Sequence, residues 1–159
     1  MNLLCVDDDA DFLDLTAMFF ERKLPSATVL TTTRVDDTLD TLDTGPIHCV
    51  VSDYELPERT GLDFLRTVRG KYPELSFVLF TGEGSGRIAS EAISAGVTDY
   101  LQKRGASQYD RLATRGRNAV ARYRAERELQ ERVEELTAIS PRPSTRSNTN
   151  RSCATVRRS

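Results

Sequence analysis

The sequence predicts an α/β fold: a doubly wound five-stranded parallel sheet with an extended C-terminal helix. Three observations carry that prediction. Short apolar, β-branched or aromatic runs alternate with segments of helical periodicity over residues 1–106, the pattern of parallel strands joined by right-handed crossovers. Four of those runs, LLCVDDD (3–9), VVSDYELP (50–57), SFVLFTGEG (76–84) and VTDYLQKRG (97–105), end in polar residues: an acid pair, a lone Asp, a hydroxyl and a Lys. A last helical pattern, from about 108 to 139, is too long for one more packing helix in so small a domain.

The elements follow in order. The first strand covers residues 2–6. In the helix over 10–23, Leu13, Ala17, Phe20 and Leu24 recur at helical spacing, with Phe12, Leu15 and Phe19 widening the apolar face, and Pro25 stops it. The second strand is placed at 27–31 and a short acidic helix at 35–42. Gly45-Pro46 turns the chain into a third strand, 47–52. The next helix, 60–71, buries Leu62, Leu65 and Val68, with Pro73 beyond its end. A fourth strand (76–80), a helix over 87–95 that ends at Gly96, and a fifth strand (98–101) complete the alternation. There is no internal repeat.

Composition sets the outer limits. The chain has 159 residues with 38% hydrophobic content, enough for one domain with a real core and an appendage. No charged-then-apolar leader and no run of eighteen apolar residues occurs, so no passage into or across a membrane is expected. Cys5 and Cys49 fall in predicted strands, where a free Cys acts as a small hydrophobe, and with Cys153 they form no C-x-x-C spacing. The expectation is a reduced, cytoplasmic protein. Residues 1–106 carry 18 acidic and 10 basic groups, residues 107–140 carry 6 and 7, and 141–159 carry five Arg and no acid. Such charge speaks to solubility and not to fold.

The carboxyl ends of parallel strands share one sheet edge, where open α/β folds place their ligands. Asp7, Asp8, Asp53, Thr81 and Lys103 are therefore expected to converge. Three crowded carboxylates repel one another by about 4 kcal/mol per pair at 4 Å and an effective dielectric near 20. They raise one another's pKa unless a cation sits among them. Mg²⁺ fits, because it takes oxygen ligands and keeps positions for water and a phosphate. Asp53 can then attack a phosphodonor as a carboxylate nucleophile, with Lys103 neutralising the transferred group. Taken singly, Asp8 or Asp9 reads equally well as a helix cap or first-turn acid, and Lys103 as a solvated loop lysine. The set, in this order, points to phosphoryl chemistry.

Over residues 1–124 these motifs resemble the response regulator receiver domains of two-component signalling. The resemblance implies a flavodoxin-like sheet of order 2-1-3-4-5, with Asp53 as phosphoacceptor and Mg²⁺ held by Asp7, Asp8, Asp53 and the backbone carbonyl of Glu55. It implies that Thr81 engages the phosphoryl group, that Lys103 is its cationic partner, and that Tyr100 is the switch aromatic. Pro57 and Gly61 match the family's loop into the third helix. The implied function is a phosphorelay switch that takes its phosphoryl group from a histidine kinase and catalyses only its own phosphorylation and dephosphorylation. Thr81 and Tyr100 would alter the face of helix 4, strand 5 and helix 5, which a downstream protein target would read.

This chain departs from the family pattern in places. Arg104-Gly105 follows the Lys where many relatives have a cis proline. A cis bond before a non-proline residue costs about 2.5–4 kcal/mol, which favours a trans and differently shaped loop. Glu55 and Glu83, each two residues past Asp53 and Thr81, occupy positions that in the family flank the path of the attacking water. The loop over 82–86 is glycine-rich but lacks the Gly-Lys-Ser/Thr ending of a phosphate loop, and reads as a mobile segment. His48, the one histidine, reads as structural.

Two alternatives stand beside the switch. Asp7-Asp8-Asp9 can be read as the D-x-D of haloacid dehalogenase-type phosphatases with Asp7 as nucleophile, although Asp11 stands where Thr or Val is usual and no segment is long enough for a cap. The chain can also be the N-terminal receiver of a larger sensor kinase or regulator. No DNA binding is expected, because no room remains for a helix-turn-helix and its core. Residues 125–139 read as a helical extension: Leu129, Val133 and Leu136 take d, a and d of a heptad, with Glu126 and Arg122 weakening the register before them. A weak homodimer and a single solvated helix both fit. Residues 140–159 read as a disordered basic tail, whose abrupt change of character also suggests a reading-frame slip or premature end.

Overall fold

The computed structural model describes residues 1–82 and 84–139. Five strands, β1 (Asn2–Val6), β2 (Thr28–Thr32), β3 (Cys49–Ser52), β4 (Ser76–Thr81) and β5 (Asp99–Gln102), form one sheet of order β2-β1-β3-β4-β5. Every neighbouring pair is parallel. The connecting helices are α1 (Ala10–Lys23), α2 (Val35–Thr44), α3 (Gly61–Lys71) and α4 (Gly86–Ser94), and α5 (Ala106–Ile139) closes the series. The chain winds outward from β1 to β2, then reverses to β3. The switch point of this flavodoxin-like sheet is therefore the crevice between β1 and β3, where such folds bind ligands.

Alternation along the strands builds two apolar layers, since successive side chains point to opposite faces. Leu3, Cys5, Cys49, Val51, Val78, Phe80 and Leu101 face α1 and α5, meeting Leu13, Phe20, Leu24, Leu112, Ala119 and Val120. Leu4, Val6, Val50, Phe77 and Leu79 face the other way, meeting Val35 and Leu42 of α2, four residues of α3 and Ala92 of α4. Both faces are covered, as a parallel sheet requires. Burial pushes the Cys49 thiol up to about 12 and that of Cys5 further, so both stay neutral hydrophobes.

Three of the helices start on side-chain caps. Asp9, Thr60 and Ser85 each accept from the backbone N–H three residues on, at 3.1 Å. These caps explain two boundary differences from the sequence reading: α3 begins one residue later because Thr60 is its cap, and α4 one earlier because Ser85 is. β2 lies one residue further on than expected, in register with β1 from Asn2↔Thr28. β3 starts at Cys49 because His48 is used otherwise: its Nδ1 accepts from Asn2 N at 2.9 Å, and its ring packs on Tyr123 at 4.1 Å.

One core assignment fails. Leu15 is 62% exposed, and the buried position on that helix is Thr16. At about 100° per residue, Leu15 lies some 200° round the axis from Leu13, whereas Thr16 joins Leu13 and Phe20 in one stripe. α5 lies close to α1 because Gly116 has no side chain. A Cβ there would come 2.6 Å from Leu24 Cδ1. Contacts divide the chain into Met1–Tyr123 and the part from Arg124 on. In that second part Leu129, Val133 and Leu136 are exposed on the helix, and the basic stretch read over 140–159 lies outside the described residues. Among the described residues no helix is long and apolar enough to cross a membrane.

Gly61 opens α3 directly against the end of β3. Its N–H donates to Tyr54 O at 2.6 Å, and a Cβ would lie 2.1 Å from Asp53 O and 2.9 Å from Leu79 Cδ1. The nearest obstacle is backbone and cannot turn aside. Gly61→Ala is expected to lower stability by about 1–3 kcal/mol in a denaturant melt. An unchanged midpoint would mean that this approach is looser than described.

Candidate functional site

Backbone pairing at the switch point brings the acidic residues together. Asp7 follows β1, and its N–H donates to Thr32 O at 3.2 Å. Asp53 follows β3 and donates to Val6 O at 2.9 Å, which sets it beside Asp7. Asp7 is 3% exposed and accepts from Asp9 N at 2.9 Å, while Asp53 Oδ1 accepts from Tyr54 N at 2.7 Å. Asp8, between a buried acid and a helix cap, is exposed. Carboxylate oxygens of Asp7, Asp8 and Asp53 all lie within 4.8 Å of one another.

Lys103 comes from the far side of the same edge. Its backbone N–H donates to Thr81 O at 2.9 Å, continuing the β4–β5 ladder by one residue. The ammonium reaches back over β4 and β3, donating to Asp7 Oδ2 at 2.5 Å and lying 3.2 Å from Asp53 Oδ2. Its remaining side faces the ring of Phe12, 4.1 Å from the centroid. Burial opposes the charge on Lys103, but its hydrogen bond to Asp7 and the charge of Asp53 outweigh it and raise its pKa. The carboxyl of Asp7 is also held above its usual range, by burial first, with the Asp53 charge adding and Lys103 partly offsetting.

Three carboxylates against one ammonium leave a surplus of negative charge in a largely buried crevice. Hard oxygen donors at this spacing, with Asp8 open to solvent, fit a small divalent cation that keeps part of its water. Glu55, whose carbonyl was assigned to the metal, is held by a backbone bridge to Thr60. Glu83 lies outside the described residues.

Thr81 ends β4 fully buried, on the same sheet face as Leu79. Tyr100 pairs in register with Leu79 and packs half-buried against the α2–α3–α4 layer. The two assigned switch residues thus share a face. Among the described residues no peptide is cis, so the Lys103-Arg104 bond is trans.

Sequence reasoning missed two features. Phe12 read as core only, although four residues after Asp8 in the first turn of α1 it had to lie near the carboxyl edge. Asp99 passed unnoticed. It accepts from Arg111 at 2.7 Å and Arg115 at 2.8 Å, clamping β5 to α5; the i, i+4 arginine pair marks a helix face but does not name its partner.

Comparison with known proteins places this geometry. The family model for the response regulator receiver domain matches residues 3–115. The photosynthetic apparatus regulatory protein RegA of Rhodovulum sulfidophilum is 35% identical over 102 residues, covering 64% of this chain and 55% of that protein. The methanogenesis regulatory protein FilR1 of Methanothrix harundinacea is 31% identical over 126 residues, 77% of this chain and 28% of its own length. The chain thus spans about half, or less, of these curated relatives. A response regulator receiver domain protein from Clostridium thermocellum superposes with a TM-score of 0.68 at 25% identity, covering 78% of this chain and 97% of that one. The phosphatase alternative built on Asp7 is not favoured, because the match runs through all four strand-end motifs. This chain belongs to the response regulator receiver domain family of two-component signalling.

Proposed function

We propose that residues 1–124 act as a phosphoacceptor switch in which Asp53 is the acceptor. The observation that carries the reading is the clustering of Asp7, Asp8 and Asp53 at the β1/β3 crevice, with one ammonium bridging Asp7 and Asp53. In the forward step an Asp53 carboxylate oxygen attacks the phosphorus of a donor. The new O–P bond forms as the bond to the leaving group breaks, the imidazole nitrogen when the donor is a histidine kinase. A bound Mg²⁺ would supply charge neutralisation and a template for the phosphoryl oxygens. Asp7 and Asp8, with Asp53 and the Glu55 carbonyl, would hold it. Lys103 neutralises a transferred oxygen from the other side, its ammonium exchanging a carboxylate for a phosphoryl oxygen.

The output is a population shift. Thr81 gains an acceptor when Asp53 is phosphorylated, and Tyr100, on the same face, adjusts its packing against α4. Phosphorylation shifts two existing packings only by its differential interaction energy with them. No other substrate is turned over in this reading, the site works in the cytoplasm, and the target is a protein rather than DNA. The exposed Leu129, Val133 and Leu136 suit weak pairing with a second copy through the helical extension.

Incubation with acetyl phosphate and Mg²⁺ is expected to add one phosphoryl group, read by mass. Asp53→Asn abolishes it and Asp8→Ala raises the Mg²⁺ requirement. Phosphorylation of Asp53→Asn at the wild-type rate would refute the assignment.

The charge balance makes a separate prediction. Lys103→Met leaves two buried carboxylates without their cation and is expected to cost about 3–5 kcal/mol at pH 7. The folded pKa of Asp7 is already raised, so Asp7's contribution is most favourable below its unfolded value, near 3.9, and is lost as pH rises. The loss in Lys103→Met therefore shrinks toward acid pH. In the wild type, Lys103's own stabilisation is complete at pH 7 and disappears only above its ordinary alkaline range. A pH-independent difference between the two melts would contradict this balance.

Removal of residues 125–159 is expected to leave phosphorylation intact and to lower any self-association seen by sedimentation. Identical association states with and without the extension would exclude it as a dimer seam.

A further inference from the structure

We propose that Phe12 is a positioning residue for Lys103, holding the ammonium in the phosphoryl site with the face of its ring. The inference rests on the phosphoacceptor reading and adds a residue to it. An ammonium has three N–H donors. Two sides of Lys103 are taken by Asp7 and Asp53, and the ring of Phe12 occupies a third, 4.1 Å from Nζ to centroid. The side chain of Lys103 is only 15% exposed, so the ring confines the ammonium as well as attracting it.

The ring is itself held. Phe12 N donates to the Asp9 cap at 3.1 Å, fixing its backbone at the start of α1. The ring packs on Phe80 at 5.9 Å between centroids, Phe80 on Tyr109 at 5.4 Å, and Tyr109 on Phe19 at 5.5 Å. Phe80 faces α1 and α5, so the aromatic row runs across that face of the sheet.

An aliphatic side chain would exclude water equally well and give a cation no attraction. The face of an aromatic ring does, and more strongly when desolvated. That difference matters when the carboxylates are occupied. A divalent cation held by Asp7, Asp8 and Asp53 weakens their pull on Lys103 and repels it. The ring contact does not compete for those oxygens, so it retains the ammonium beside the incoming phosphoryl group. Without it, Lys103 swings to solvent in the metal-loaded protein and must be recovered when the phosphoryl group binds.

The chain has three lysines, Lys23, Lys71 and Lys103, so ¹³C-lysine spectra of the full chain resolve the contact directly. The ε-methylene of Lys103 is expected upfield, shifted by the ring current. Lys71, 6.0 Å from the Tyr72 centroid, serves as the weaker internal case. The shift should persist on Mg²⁺ addition, vanish in Phe12→Leu and return in Phe12→Trp. Beryllofluoride affinity in Mg²⁺ is the second readout. Mono-, di- and trifluorophenylalanine at position 12 keep the ring's shape but drain its face, and should weaken binding stepwise by about fivefold in total. In a Lys103→Met background fluorination should do nothing. Loss of the ring-current shift in Mg²⁺, or affinity indifferent to fluorination, overturns the role of Phe12 alone. Failure of the wild type to bind beryllofluoride at all overturns the phosphoacceptor reading and this role with it.

Discussion

The arrangement depends on keeping three carboxylates within reach of one another at the end of a parallel sheet. At an effective dielectric near 20, each charged pair at 4 Å costs about 4 kcal/mol. Lys103 offsets part of that cost for Asp7 and Asp53, and Asp8 escapes it by facing solvent. The scaffold supplies the rest of the restraint through the backbone. Val6 O and Thr32 O hold the amides of Asp53 and Asp7, and the amides of Tyr54 and Asp9 donate to their carboxylates. A divalent cation would then enter a site whose electrostatic strain has already been met by folding energy. Such strain is tolerated only where the surroundings over-determine the position, and here β1, buried from Leu3 on, and fully buried β3 do so.

The same economy of position runs through the helices. Asp9 caps α1 and is bonded to Asp7 through its own amide, so the helix start and the acid pair are one local structure. α3 begins where Gly61 touches the carbonyl of Asp53, which ties the Asp53 backbone to the α3 layer. The ammonium arrives from β5 on a ladder that Thr81 shares. Four of the five strands end in a group at the site, and β2 contributes a carbonyl, so no strand can slip in register without disturbing it.

Much of this was legible in the sequence because strand-end polarity and strand burial are local signals. Asp7, Asp53 and Lys103 each close an apolar run, and sheet topology alone then brings them together. Strand and helix identities followed from the same periodicities, and boundaries drifted by one or two residues where a cap or a histidine decided where an element starts. What was not legible depends on three-dimensional neighbours. Leu15 satisfied a generous helical stripe but faces water, since α5 and the sheet cover only the narrower stripe of Leu13, Thr16 and Phe20. Phe12 served two purposes, core and cation face, and periodicity reports only the first. Asp99 was hidden because its partners lie twelve and sixteen residues on, at a spacing that means nothing until α5 is placed beside β5.

The two helices flanking β5 are held very differently, and this decides where the proposed switch at Thr81 would be expressed. α5 is fastened to β5 by two arginines on Asp99, a half-buried residue whose carboxylate also accepts from Tyr100 N, and by a buried stripe against α1. α4 buries only Ala92 fully, exposes Ile93 at 70%, and is restrained at its far end where Arg69 Nε donates to Gly96 O at 2.8 Å. Elements with few buried apolar contacts open at lower free energy than the rest of a domain. A change in packing at Tyr100 therefore displaces α4 before it displaces α5. The near end of α4, beside Thr81, has the most freedom. Its far end pivots on the Arg69 tether, while the Asp99 clamp keeps β5 and Lys103 in register with the site.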